Sequence, residues 1–129
     1  MCELGCGTGR FAADLLTSTL PGSAKYFGVD VSSTMVRLAT ARLAAWSARA
    51  EIELLEPPAL KLPGRDGAFD RFLATYVFDL LRSHDARALI AEAGRLLDNS
   101  GLLGLVSLTH GTTPLSRIVA SSWNKIATR

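Results

Sequence analysis

A glycine-rich run near the amino terminus has residue types that suit ligand chemistry. It has the sequence Glu-Leu-Gly-Cys-Gly-Thr-Gly over residues 3–9. Its first two residues also belong to a short apolar segment, residues 1–4, that could end a buried strand. Glycines in a strand-to-helix turn permit a tight bend and let a ligand approach the backbone. The helix that follows would offer free amide groups at its amino end. The run therefore predicts a ligand-binding loop.

A carboxylate follows at a spacing that suits a nucleoside. Asp30 lies 21 residues after Gly9 and closes a segment, residues 25–29, that is rich in strand formers. In doubly wound folds a carboxylate at this point can accept both hydroxyls of a ribose. Taken alone, Asp30 could also be a solvated strand end. Together, the loop and the carboxylate predict a nucleoside-binding site.

The glycine spacing separates classes of nucleotide site. Dinucleotide-binding loops have the pattern G-x-G-x-x-G, and counting from Gly5 and Gly7 places Arg10 at the third glycine position. A bulky side chain there would obstruct the approach of helix and strand. A nicotinamide-dependent oxidoreductase is therefore disfavoured, although it remains an alternative. A Walker phosphate loop is excluded, because no Gly-Lys-Ser/Thr follows the run.

Strands and helices are predicted to alternate along the chain, which favours an α/β fold with a mostly parallel, doubly wound sheet and helices on both faces. About five strands are expected, at residues 1–4, 25–29, 51–55, 69–77 and 102–108. Helices are expected at residues 10–20, from a cap at Ser32 or Ser33 to about Arg49, at residues 83–97, and after Thr113-Pro114.

Composition narrows the class of protein. The chain has 129 residues, of which 48% are hydrophobic and 20% charged, as in one globular domain. It shows no apolar run of the ~20 residues that cross a bilayer and no signal peptide, so a cytoplasmic location is expected. A net charge of +2 gives no clear nucleic-acid signal. Cys2 and Cys6 are too close to staple distant segments and lack partners at metal-ligand spacing, so no metal is predicted.

Four sequence elements resemble the motifs of class I S-adenosylmethionine-dependent methyltransferases, the family that includes the type 11 and type 25 methyltransferase domains. Residues 2–9 resemble the first motif, and Gly-Val-Asp-Val-Ser at residues 28–32 is similar to the second. Leu-Pro at 62–63 with Phe-Asp at 69–70 is similar to the element before the fourth strand, and residues 95–101 are similar to the turn before the fifth. The order of the elements implies a Rossmann-like fold over nearly the whole chain.

The resemblance implies that individual residues bind the cofactor S-adenosyl-L-methionine. Gly5 and Gly7 would let the backbone approach its methionyl part and sugar. Glu3 would help to hold that loop and would reach the methionine amine through water, while Asp30 would bind the ribose hydroxyls. The remaining implied contacts are Val31 packed on the adenine, the backbone amide of Ala59 at the adenine edge, and Ala74 near the methionyl end.

The implied reaction is in-line transfer of a methyl group to a small-molecule or lipid acceptor, without a metal. No catalytic residue, acceptor or oligomeric state can be identified from the sequence, and Tyr76 could serve either packing or the site. One position departs from the family pattern, because Pro58 stands where the family usually has Asp before the alanine, and Glu56 could substitute only if the loop shifts. A catalytically inactive methyltransferase-like fragment or binding module is therefore an alternative.

The resemblance to this family also predicts that the chain is shorter than a complete domain. Residues 1–129 are predicted to be a single, incomplete methyltransferase domain, because the first strand is short and the family's preceding helix and final two strands are not found. The chain is therefore expected to be a fragment or a mis-started version of a larger protein. Its fifth strand would then form an uncovered apolar edge of the sheet.

Overall fold

A single parallel sheet organises the chain. The computed structural model describes residues 1–56 and 61–108, so Ala59, Pro58 and the helix predicted after Thr113 lie outside the described residues. The strands are β1 (Cys2–Leu4), β2 (Tyr26–Asp30), β3 (Ala50–Leu54), β4 (Phe69–Thr75) and β5 (Leu97–Val106). Their order is β3-β2-β1-β4-β5, and every neighbouring pair is parallel. The predicted α/β fold with a parallel sheet is confirmed, and strand order reverses between β1 and β4, where such folds bind ligands.

Helical segments connect the strands. Helix α1 (Arg10–Asp14) continues into a π-helical turn (Leu15–Thr19), and α2 (Ser33–Arg42) is followed by a 3₁₀ turn (Ala44–Trp46). A 3₁₀ turn (Phe78–Leu80) precedes α3 (Ser83–Leu96). No helix within these described segments is long and apolar enough to span a bilayer.

The two faces of the sheet carry separate cores. On one face, strand residues that include Cys2, Leu4 and Phe72 pack against Leu89 and Leu96 of α3. On the other face, the Tyr26 ring packs with Ala12, Leu16 and Leu43 from α1, the π-helical turn and the end of α2. Successive side chains of a strand point to opposite faces, so β1 presents Cys2 and Leu4 to α3 and Glu3 to the α1–α2 side.

Three predicted boundaries were wrong. The fourth strand ends at Thr75, because Tyr76 adopts a left-handed backbone with φ of 59° that cannot continue a strand. Helix α2 ends at Arg42, because Leu43 leaves helical geometry with φ of −94° and ψ of 9°. The fifth strand begins at Leu97, with a register shift opposite Phe69 and Arg71, before the apolar run that starts at residue 102.

Strand β5 forms one edge of the described sheet. Its apolar side chains are largely exposed, including Leu102 at 61% and Leu105 at 44%. The predicted apolar edge is therefore present in the part of the chain that the structure describes. Phe11 of the first helical segment is similarly exposed, at 48%.

A guanidinium at the end of α3 holds the loop between β3 and β4. Arg95 donates hydrogen bonds of 2.9 Å to the carbonyl oxygens of Leu62 and Gly64, and it also bonds to Asp66 and Glu92. The Leu62 amide in turn donates to Glu92 over 2.8 Å. The hydrogen bond from Arg95 lowers the pKa of Glu92. The two motif-like segments at residues 62–63 and 95–101 are thus joined by direct contacts.

Candidate functional site

The glycine-rich loop leaves β1 at the carboxyl end of the sheet and is bound tightly to β2. The amides of Gly5 and Cys6 both donate to the Val29 carbonyl, over 2.8 and 3.1 Å. On its other side, Arg42 at the end of α2 donates to the carbonyl and hydroxyl oxygens of Thr8, over 2.6 and 2.7 Å. The loop is therefore fixed at the sheet's centre before any ligand arrives.

Each glycine of the loop adopts a left-handed backbone, with φ of +74° at Gly5, +55° at Gly7 and +71° at Gly9. Side chains disfavour this conformation. A Cβ at Gly5 would also overlap the Val77 side chain, and one at Gly9 would lie 3.0 Å from the Ala39 Cα of α2. A Cβ at Gly7, in contrast, would meet nothing within 4 Å. The open space is therefore in front of Gly7, where a ligand could lie against the backbone.

Gly9 shapes the loop as well, although the sequence analysis did not name this third glycine of the motif among the binding residues. It allows α2 to approach the loop. Arg10, which stands where dinucleotide-binding loops have their third glycine, is exposed at the start of α1, and the close approach of α2 to the loop occurs at Gly9.

Asp30 contacts the loop directly. The Gly7 amide donates to its Oδ2 and the Ser32 amide to its Oδ1, each over 2.9 Å. Each carboxylate oxygen has two lone pairs, so both oxygens keep acceptor capacity for hydroxyl groups. Val31 follows with a side chain that is 60% exposed. Loop and carboxylate, which the sequence separates by 23 positions, form one site.

Ser32 confirms one of the two predicted caps, because its Oγ accepts a hydrogen bond from the Met35 amide over 3.4 Å. Ala74 pairs with Leu4 in the sheet, and its side chain is buried in the core shared with α3. The structure thus places Ala74 beside the residue that precedes Gly5, but with its methyl group on the apolar face. Glu56 is exposed after β3, next to the residues that the structure does not describe.

Glu3 is the one buried charged or polar residue in the described core, with 3% of its surface exposed. The Tyr26 hydroxyl donates a hydrogen bond to Glu3 Oε2. Burial raises the pKa of Glu3, and the hydrogen bond from Tyr26 opposes that rise. The sequence predicts only a strand at Tyr26, because its contact with Glu3 depends on the register between β1 and β2.

Two polar side chains follow β4 on the ligand side. Tyr76 is 51% exposed, so its ring does not serve core packing, and its amide donates to the Val106 carbonyl over 2.7 Å. Asp79 instead accepts a hydrogen bond from the Leu108 amide over 3.0 Å. Tyr76 is therefore exposed at the carboxyl end of β4, where a ligand could contact its ring.

The two cysteines are free thiols buried beneath the site, with 1% of Cys2 and 5% of Cys6 exposed. Burial raises the pKa of each thiol to about 12, so the nucleophilic thiolate is scarce at neutral pH. We expect neither cysteine to react with a chromogenic disulfide reagent at about pH 8 while the chain is folded. Both should react within minutes in guanidinium chloride, and rapid reaction of either thiol in the native chain would contradict the structure.

No group of three His, Cys, Asp or Glu side chains within residues 1–56 and 61–108 is arranged to hold a metal ion. The site is thus built from backbone amides, glycine conformations and two carboxylates. The acceptor oxygens of Asp30 suit recognition of a polar organic ligand that carries hydroxyl groups.

Comparison with known proteins gives consistent matches. A family model described as a methyltransferase domain matches residues 1–101. A demethylmenaquinone methyltransferase from Lactococcus lactis is 34% identical over 113 residues, which are 88% of this chain and 43% of that protein. The chain spans about half the length of the curated relatives that it matches, with 43% of the Lactococcus lactis protein and 50% of a second demethylmenaquinone methyltransferase, from Lactobacillus johnsonii, covered.

Solved structures with the same fold include two that align well. The structure described as the [4+2]-cyclase SpnF is 30% identical, with a TM-score of 0.72, and the match covers 87% of this chain and 39% of that one. The YcgJ protein from Bacillus subtilis has a TM-score of 0.74 at 21% identity, with 97% of this chain and 50% of that one covered. The second likeness concerns the fold alone.

Proposed function

The chain belongs to the class I S-adenosylmethionine-dependent methyltransferases, and from this premise we propose that it binds S-adenosyl-L-methionine and transfers a methyl group to a small-molecule acceptor. The contact between the Gly7 amide and Asp30 Oδ2 carries the proposal. It joins the loop that would receive the methionyl part to the carboxylate that would receive the ribose. The relatives' methyltransferase names support the same activity.

The residues present fit this cofactor. The space in front of Gly7 is open, where a Cβ would meet nothing within 4 Å, and both oxygens of Asp30 can still accept hydroxyl groups. Asp30 would hold the ribose, Gly5 and Gly7 would admit the methionyl part, and Val31 would cover one face of the adenine. Contacts of Ala59 with the adenine edge and of Ala74 with the methionyl end stay predictions.

The cofactor, when bound, supplies an electrophilic methyl group on a sulfonium sulfur. The contribution of the chain is to hold that group and the acceptor in line at near-attack distance, which can lower the barrier by roughly 7–11 kcal/mol. The loop is already fixed to Val29 and Thr8, so little reorganisation opposes this positioning. No general base is assigned among the described residues.

The acceptor proposed is a small molecule of the quinone class. The printed name of the Lactococcus lactis relative supports this class, since it is a demethylmenaquinone methyltransferase. The exposed Tyr76 ring, at the carboxyl end of β4 near Gly5, could contact a planar acceptor. A cytoplasmic location stays a prediction.

Calorimetric titration of the purified chain tests the proposal. S-Adenosylmethionine and S-adenosylhomocysteine should each bind with 1:1 stoichiometry, while NADH should give no heat above dilution. A second measurement follows transfer of a labelled methyl group to a reduced naphthoquinone. Binding without transfer would favour the alternative of a binding module, and no binding by a folded chain would refute the proposed function.

A further inference from the structure

A buried hydrogen bond beneath the glycine-rich loop joins β1 to β2. Tyr26 is 2% exposed, and its hydroxyl reaches Glu3 Oε2 on the neighbouring strand. Gly28 makes this reach possible, because a Cβ there would lie 2.9 Å from the Tyr26 hydroxyl oxygen. Ala12 of α1 and Leu43, which follows α2, pack around the ring. The hydroxyl group is therefore held in place by the surrounding core.

Glu3 is buried without an ion-pair partner. The ion pairs of the described residues do not include it, and Tyr26 is its only donor among them. A buried carboxylate is costly unless hydrogen bonds or an opposite charge compensate it. One neutral donor compensates only one of its oxygens. No described residue donates to Oε1, so that oxygen is available to a donor from outside the described chain.

We propose that Tyr26 is a positioning residue of the cofactor site, whose hydroxyl holds Glu3 as a carboxylate and leaves Oε1 for the ammonium group of the ligand's amino-acid part. This inference rests on the proposed function, and it adds a residue that the motif resemblance does not include. Tyr26 acts through Glu3 and does not itself touch the ligand. Its contribution should therefore appear in how ligand affinity depends on pH.

The groups that face Glu3 determine whether its pKa rises or falls. Tyr26 and Asp30 approach it from β2, while Cys2 and Cys6 lie on its own strand and on the loop. The Tyr26 hydroxyl favours the carboxylate form, whereas burial and the charge of Asp30 favour the protonated form. Removing the hydroxyl group should raise the pKa of Glu3 further. A ligand whose ammonium group meets Glu3 then binds less well as pH falls, and the decline begins at higher pH in the variant.

Titration with S-adenosylhomocysteine between about pH 5.5 and pH 8 tests the inference, with Tyr26→Phe compared to the unchanged chain. At the acidic end of this range the variant should bind several-fold more weakly than the unchanged chain, because a larger fraction of its Glu3 is protonated there. The two affinities should converge towards pH 8. Thr40→Val is the matched control, because it removes an exposed hydroxyl that bonds only within α2, and its profile should follow that of the unchanged chain.

A purely structural role of Tyr26 would lower affinity by the same factor at every pH, and that result would overturn the inference. Glu3→Gln provides a second measurement if Tyr26→Phe does not fold, because glutamine cannot titrate. Its affinity should lose the acidic decline that Glu3 causes, and a profile like that of the unchanged chain would also overturn the inference. Absence of binding by the unchanged chain refutes the proposed function, whereas binding with unaltered profiles refutes only the role of Tyr26.

Discussion

Gly5→Ala should abolish detectable cofactor binding and lower the free energy of unfolding by about 2–5 kcal/mol. Gly5 has φ of +74°, and an added Cβ would overlap Val77 Cγ2. A left-handed backbone costs a side-chain-bearing residue roughly 1–2 kcal/mol, and overpacking adds roughly 1–3 kcal/mol. Relief of both strains would displace the loop from the Val29 carbonyl. Denaturant unfolding and calorimetric titration with S-adenosylhomocysteine measure the two effects.

Two further variants separate the backbone strain at Gly5 from the steric overlap with Val77. Gly22→Ala is the matched control, since a Cβ there meets nothing within 4 Å and Gly22 lacks a positive φ. Its stability and affinity should change little. Adding Val77→Ala to Gly5→Ala should recover part of the lost stability by removing the overlap, while the backbone strain at Gly5 remains. A Gly5→Ala chain that unfolds and binds like the unchanged protein would show that the loop geometry is wrong.

Asp30→Ala should weaken S-adenosylhomocysteine binding by roughly 100-fold, because hydrogen bonds to charged groups contribute about 1.5–3 kcal/mol each. The variant loses the acceptors for the Gly7 and Ser32 amides as well as those proposed for the ribose. Asp30→Asn keeps one acceptor oxygen and should give an intermediate affinity. Calorimetric titration at neutral pH measures the series.

The control for Asp30 is Asp14→Ala, which removes an exposed carboxylate from α1. It alters net charge equally, so a general electrostatic effect on the ligand would appear in both variants. Affinity should stay within about twofold of the unchanged chain for Asp14→Ala, a difference below roughly 0.5 kcal/mol. If Asp30→Ala bound equally well, the carboxylate would have no part in ligand recognition.

The sequence was sufficient to predict the architecture and the contact at the centre of the site. Alternating elements indicate a parallel sheet, and in such a sheet the loop after β1 and the end of β2 must meet at one edge. The positions of the glycine-rich loop and of Asp30 at strand ends therefore predicted one site, and the 2.9 Å hydrogen bond from the Gly7 amide shows that the two are in contact. The cap at Ser32 was also predictable, because capping is a local property of residue type.

Features that depend on distant partners were not predictable. Alanines and Trp46 suggest that α2 continues to Arg49, but Arg49 instead donates hydrogen bonds to the carbonyl oxygens of Leu16 and Pro21, over 2.8 and 3.0 Å. Those tertiary contacts override helix propensity. The pairing of Tyr26 with Glu3 likewise needs the strand register and the missing side chain of Gly28. No local pattern encodes either contact.

The position of β1 has a consequence for the energetics of ligand binding. It has three residues, yet it pairs with both β2 and β4, and the loop that follows it is bonded to Val29. Releasing the loop would thus disconnect the two halves of the sheet, so local opening and global unfolding are coupled here. A ligand held by this loop would protect the whole sheet against denaturation, by an amount set by its concentration relative to its dissociation constant.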